Sequence, residues 1–143
     1  IFDDTGTFEA ISVADALLER GMQVTLVSRY ESLGASLPYP PATVEAAKER
    51  LMSQNFDFIG GHYIQAITQD EVMIGVPFTE RKRRLQANTV ALVTYNHPNR
   101  ELGDYLTNQS LQSNQAIHTI GDASGTNGIQ AAIHQAANLI RSL

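Results

Sequence analysis

The residues of this chain best suited to bind rather than to react stand near its C-terminal end. An apolar run, Ala116 to Ile120, delivers Gly121-Asp122-Ala123-Ser124 to a glycine-containing loop and then to a helix beginning at Gly128. A glycine at a strand end lets another backbone or a ligand approach closely, and the aspartate after it can accept from sugar hydroxyls. The unpaired N–H groups of the helix opening at Gly128 and Ile129 face a phosphate with the positive end of the dipole. Gly121, Asp122, Ala123, Gly128 and Ile129 are therefore the candidate cofactor-binding residues at this end.

A second candidate lies at the start, where Asp3-Asp4-Thr5-Gly6-Thr7 joins an apolar stub to a helix. Dinucleotide folds place a glycine-rich turn here to cradle the pyrophosphate. This loop holds a single glycine, Gly6, and two carboxylates whose charge opposes a phosphate. After the second strand comes Ser28-Arg29-Tyr30, the place where a dinucleotide fold meets the adenine ribose. Arg29 there would suit the 2′-phosphate of NADP, and the alternative is an ordinary solvated arginine.

Other chemistries find little support. His62, His97, His118 and His134 share no ligand spacing, so no metal site is expected. The sequence has no cysteine, which excludes disulfides and thiolate-held clusters within it. No nucleophile elbow and no acid–base pair is evident, so no catalytic residue is assigned. A phospho-acceptor reading of Asp3 and Asp4 with Asp57 and Thr94 lacks its lysine, because the two lysines, Lys48 and Lys82, are misplaced for it.

The elements that must position these residues read as α/β. Ala10, Ile11, Val13, Ala14, Leu17 and Leu18 form one apolar helix face, closed by Gly21, and Met22 to Ser28 is a strand. Strand, helix and strand in about thirty residues make a right-handed βαβ unit. A proline-rich loop follows, then a helix from Thr43 to Met52 with Pro41 in its first turn. Short β runs at Phe56 to Ile59, His62 to Ile67 and Val72 to Phe78 suggest a small antiparallel excursion, with the cations Arg81 to Arg84 at its solvated tip or edge. Asn88 to Thr94 reads as a strand covered by helices on both faces, a short polar helix spans Arg100 to Leu106, and Ala116 to Ile120 is a further strand. The last helix carries Ile129, Ala132, Ile133, Ala136, Ile140 and Leu143 on one stripe. The fold class is thus a three-layer Rossmann-like α/β domain with a central parallel sheet and a small antiparallel excursion.

Composition sets the remaining bounds. The 143 residues are 43% hydrophobic and 17% charged with a net charge of −5, and no apolar run is long enough to span a bilayer. The cations are scattered apart from Arg81 to Arg84, so neither nucleic acid nor a membrane is an expected partner, and a cytoplasmic setting fits. Ile1-Phe2-Asp3-Asp4 reads as the end of a strand, so the chain is expected to be part of a longer protein.

Phe2-Asp3-Asp4-Thr5-Gly6, the run from Ala14 to Val27, Val90 to Thr94 and Ile120 to Ala123, in this order, resemble the C-terminal region of the NADH:flavin oxidoreductases related to trimethylamine dehydrogenase and 2,4-dienoyl-CoA reductase. The resemblance runs nearly end to end and implies a glutathione-reductase-type pair of nucleotide domains. Residues 1–110 would be the pyridine-nucleotide-binding-like domain with a degenerate glycine loop, and 111–143 the closing segment of the FAD- or ADP-binding domain. It further implies FAD or ADP at Gly121-Asp122, with NAD(P)H as a possible second nucleotide. FMN and an iron–sulfur cluster would sit outside this chain in an N-terminal flavin barrel, and a homo-oligomer is possible. The chain alone would be scaffold and part of a cofactor site, the rival being a structural or docking domain without nucleotide.

Overall fold

The computed structural model describes residues 1–37, 42–110, 115–125 and 128–143. It forms two compact units, Ile1–Tyr95 and Asn96–Leu143. In the first, strands β1 (Phe2–Asp3), β2 (Val24–Ser28), β3 (Phe56–Ile59) and β7 (Leu92–Val93) make a parallel sheet in the order β3-β2-β1-β7. Helices α1 (Phe8–Leu18) and α2 (Ala42–Met52) are the crossovers. Strands β4 (Tyr63–Ile67), β5 (Glu71–Gly75) and β6 (Lys82–Gln86) form a separate antiparallel sheet.

The pleat of β2 explains the layering, since alternate side chains leave a strand on opposite faces. Val24 and Leu26 join Ala10, Ile11, Ala14 and Leu18 of α1, Ala47 and Leu51 of α2, and Phe56 and Val93 in one core. Val27 points the other way and packs with Val72 and Ile74 of β5, alongside Phe2, Ile59, Ile64 and Leu85. The architecture is α/β in three layers: helices, parallel sheet, antiparallel sheet. Fully burying an aliphatic side chain of this kind stabilises by about 1.5–3 kcal/mol, so both faces of the sheet are held by substantial terms.

Several sequence expectations need correction. Phe56–Ile59 belongs to the parallel sheet, in register with Val24–Val27, rather than to the antiparallel excursion. The parallel pairing wins because α2 returns the chain beside β2, and period alone cannot distinguish the two. The strand expected over Asn88 to Thr94 is only Leu92–Val93, and its sheet is covered by helices on one face and by strands on the other. Ala116 to Ile120 has no strand assignment among the described residues. The cations Lys82 to Arg84 lie at the edge of the antiparallel sheet, as expected, and there they belong to strand β6. Pro41 falls outside the described residues.

In the second unit α3 (Glu101–Ser110) and α4 (Gly128–Ser142) have no buried residue. The apolar stripe of α4 is periodic as expected, but Ile129, Ile133 and Ile140 are 79%, 63% and 72% exposed. Leu102 and Tyr105 of α3 are exposed as well.

Candidate functional site

The C-terminal ends of the parallel strands converge on the turn between β1 and α1. Asp3, the last residue of β1, is 1% exposed. Its Oδ1 accepts from the backbone N–H of Thr5 at 3.1 Å, from Thr5 Oγ1 at 3.1 Å and from the N–H of Gly6 at 2.9 Å. Its Oδ2 accepts from Ser28 Oγ, at the end of β2, at 3.1 Å. The turn's backbone donors thus point at the protein's own carboxylate. An Asp bonding forward to the second and third N–H groups is an Asx-type turn.

The space above the turn is filled too. Gly6 has φ +68°, and a Cβ built on it would meet Ser36 Oγ at 2.8 Å, a Tyr30 ring carbon at 3.0 Å and Ser36 N at 3.1 Å. The loop after β2 lies this close because Ser36 N donates to Gly6 O at 2.9 Å. Asp4 pairs with Arg29, its carboxylate 3.0 Å from the guanidinium. Tyr95, just past β7, hydrogen-bonds with Tyr30. That bond, and then the electrostatic influence of Tyr30, push the Tyr95 phenol above the usual tyrosine range. The Tyr30–Tyr95 pair runs from the end of β2 to the end of β7, past β1 between them. The strand order reverses beside β1, the topological switch point where an open α/β sheet ordinarily receives its ligand.

Gly6 and Arg29 are therefore at the same sheet end, as the sequence suggests, and each is engaged by neighbours. Asp3, Ser28, Tyr30, Ser36 and Tyr95 complete the cluster. Asp3 has a signal in the sequence, Asp-x-Thr-Gly, which favours an internal turn over a free mouth. Tyr30 stands in the segment after β2 that the sequence already singles out, whereas Ser36 and Tyr95 come from elsewhere in the chain and have none. Asp57 pairs with Thr25, three residues along the ladder from the Ser28 partner of Asp3, so the acids of the phospho-acceptor alternative do not gather.

The second candidate is in the other unit. Gly121–Ala123 forms a single 3-10 turn in which Gly121 has φ +67°. A Cβ on Gly121 would meet Ala132 Cβ at 3.4 Å, an ordinary contact, so it is the positive φ that favours glycine here. Gln135 of α4 ties the two together, its Oε1 accepting from Gly121 N at 2.6 Å. Ser124 Oγ lies 2.9 Å from Gly121 O and 3.1 Å from Gln135 Oε1, and Arg100 donates to Ser124 O at 3.0 Å. Asp122 is exposed, and its Oδ1 accepts from Gly128 N at 3.3 Å, at the opening of α4. Gly128, with φ +76°, has open space where a Cβ would stand, and Ile129 is exposed. Gly121, Asp122, Ala123, Gly128 and Ile129 thus form one local structure: a turn, a carboxylate and a helix N-terminus, accessible to solvent.

No protein-family model matches the sequence, and no curated protein matches it significantly. Solved structures do match. Histamine dehydrogenase from Rhizobium sp. 4-9 superposes with a TM-score of 0.84 at 20% identity, over 99% of this chain and 22% of that one. The 6-hydroxypseudooxynicotine amine oxidase from Pseudomonas geniculata N1 gives 0.77 at 22% identity, over 92% of this chain and 20% of that one. Bacillithiol disulfide reductase from Bacillus cereus gives 0.57 at 18% identity, over 74% of this chain and 31% of that one. The chain spans about a fifth of the first two proteins and a third of the other, and its fold is the one that a dehydrogenase, an amine oxidase and a disulfide reductase each use over that part of their length.

Proposed function

We propose that this chain is the nucleotide-domain region of a larger flavin-dependent oxidoreductase of the trimethylamine dehydrogenase-like type. In this reading the first unit is a scaffold that has given up its pyridine nucleotide, and the second contributes Asp122 to an FAD or ADP site. The observation that carries the first half is the Asp3 carboxylate, buried in the β1–α1 turn with four hydrogen bonds. A pyrophosphate would need the donors that Asp3 already holds, would meet Ser36 and Tyr30 over Gly6, and would face Asp4 beside it. Arg29 has a carboxylate of its own at 3.0 Å, so a 2′-phosphate would have to compete for it. The residues present do not fit NAD(P)H.

The Gly121-Asp122 turn does fit an adenine nucleotide. The carboxylate is solvent-facing at a helix opening, where it already accepts from the N–H of Gly128, and the next N–H groups of α4 would be left for phosphate. The redox chemistry would come from flavin and an iron–sulfur cluster in an N-terminal barrel, and this chain would supply no catalytic residue. The uncovered stripe of Ile129, Ile133 and Ile140 supports this placement, because so apolar a face calls for cover by other parts of the protein.

The test of the first half is calorimetric titration of the full-length protein with NADH and NADPH. The expected outcome is that neither cofactor binds in a way that depends on Gly6 or Arg29. Saturable binding that Arg29→Ala or Gly6→Ala abolishes would refute the reading.

A further inference from the structure

Asp122 stands on a turn with few anchors of its own. The run before it, Ala116 to Ile120, has no strand assignment, and Gly121 adopts φ +67°, in the left-handed region that favours glycine. A carboxylate on such a turn binds a ligand well when its place is fixed beforehand, because ordering it during binding costs affinity. Among the described residues, α4 hydrogen-bonds the turn through two of its residues. One is Gly128, whose N–H donates to Asp122 Oδ1 at 3.3 Å. The other is Gln135, whose Oε1 accepts from Gly121 N at 2.6 Å and lies 3.1 Å from Ser124 Oγ.

The two ties are unequal. The bond at Gly128 is long and uses the carboxylate itself, so a sugar hydroxyl at Asp122 would compete with it. The bond at Gln135 is short and goes to the backbone beside Asp122, so it survives when the carboxylate turns to a ligand. A backbone N–H can only donate, which sets the Gln135 amide with its oxygen toward the turn. Gln135 meets the turn on both sides of Asp122, at Gly121 and at Ser124, while Ser124 N closes the turn on Gly121 O at 2.9 Å. The clamp therefore holds the turn as a unit. Seven residues separate Gln135 from Gly128, about 10 Å along the helix axis, so the clamp leaves the opening of α4 clear.

We propose that Gln135 is a positioning residue for the adenine-nucleotide site: it holds Gly121 and Ser124 and thereby keeps Asp122 at the opening of α4, where sugar hydroxyl and phosphate are met together. The proposal rests on the placement of the nucleotide at Asp122 and adds the residue that makes the placement rigid. Ser124 Oγ is the lesser partner, because its one proton can go to Gly121 O at 2.9 Å instead.

The experiment follows the rate at which bound adenine nucleotide leaves the full-length protein during dialysis, for Gln135→Met, Gln135→Glu, Asp122→Ala and the double variant Gln135→Met/Asp122→Ala. Methionine keeps the length and removes the acceptor, whereas glutamate keeps the acceptor, and its charge at this distance from the helix opening is screened at physiological salt. Gln135→Met should speed loss about three- to tenfold, less than Asp122→Ala does, and Gln135→Glu should restore retention. The double variant should lose nucleotide no faster than Asp122→Ala alone, because Gln135 acts through Asp122. Full retention in Gln135→Met, no restoration by Gln135→Glu, or a methionine effect that adds in full to that of Asp122→Ala, as general damage to the fold would, each overturns the role of Gln135. Unaltered retention in Asp122→Ala, or no adenine nucleotide in the unaltered protein, overturns the placement of the nucleotide beneath it.

Discussion

Replacing Asp3 by Ala should be among the most damaging single changes in the first unit. The carboxylate is 1% exposed and accepts two backbone N–H groups and two hydroxyls at 2.9–3.1 Å. A hydrogen bond to a charged acceptor contributes about 1.5–3 kcal/mol, and a buried donor left unpaired costs about 1–3 kcal/mol. The hydroxyls can rotate toward other acceptors, whereas the N–H groups of Thr5 and Gly6 are fixed by the turn. Counting those two donors and allowing for non-additivity gives a loss of roughly 3–5 kcal/mol. Asp3→Asn keeps the shape and one acceptor oxygen for the turn, and its amide can donate to Ser28 Oγ, so its loss should be only about 1–2 kcal/mol. Urea denaturation followed by far-ultraviolet circular dichroism measures both. If the alanine variant lies within about 0.5 kcal/mol of the unaltered protein, the level of an ordinary surface change, the turn does not depend on this carboxylate and the reasoning fails.

Glycine substitutions should separate strain from collision. Gly21→Ala, at φ +75° with nothing within 4 Å of the new Cβ, should destabilise by about 1–2 kcal/mol, whereas Gly6→Ala adds contacts of 2.8–3.1 Å and should cost clearly more in the same denaturation assay. In spectrophotometric titration Tyr95 should ionise above the ordinary tyrosine range, and Tyr30→Phe should lower it by removing the largest cause. Because its folded-state pKa is raised, the stability from this pair is fully present below the unfolded tyrosine pKa and is lost as pH rises through the folded value. Melting temperatures of the unaltered protein and Tyr30→Phe should therefore converge at strongly alkaline pH. Arg29→Ala should leave nucleotide preference unchanged, since the guanidinium serves Asp4; a switch from NADPH to NADH in calorimetry would contradict this.

The helical and parallel parts of the fold are legible in the sequence because their signals are local. The apolar face of α1, its stop at Gly21 and the alternation of β2 each lie within a dozen residues, and all three appear in the structure. Phe56–Ile59 misleads because a short apolar run reads alike in a parallel or an antiparallel sheet, and the choice is made by α2. Strand β6 is hidden because it holds a single apolar residue, Leu85, among Lys82, Arg83, Arg84 and Gln86, and so shows no alternation. At the candidate sites, Gly121 and Asp122 stand out in the sequence as a Gly-Asp pair ahead of a helix, although the strand expected before them is not assigned. The closure of the other turn is not, because Ser28 reaches Asp3, and Tyr30 and Ser36 reach Gly6, through the tertiary fold alone.

The central claim is that the adenine nucleotide is held at Asp122 and not at the β1–α1 turn. Adenine nucleotide retained after exhaustive dialysis of the full-length protein, quantified by chromatography of the denatured supernatant, tests it most directly. A carboxylate bonded to a sugar hydroxyl contributes about 1.5–3 kcal/mol, so Asp122→Ala should weaken retention roughly ten- to a hundredfold, while Asp3→Asn and Arg29→Ala retain it in full. Full retention in Asp122→Ala, or loss in the Asp3 or Arg29 variants while the protein remains folded, would place the nucleotide in the other unit and contradict the account.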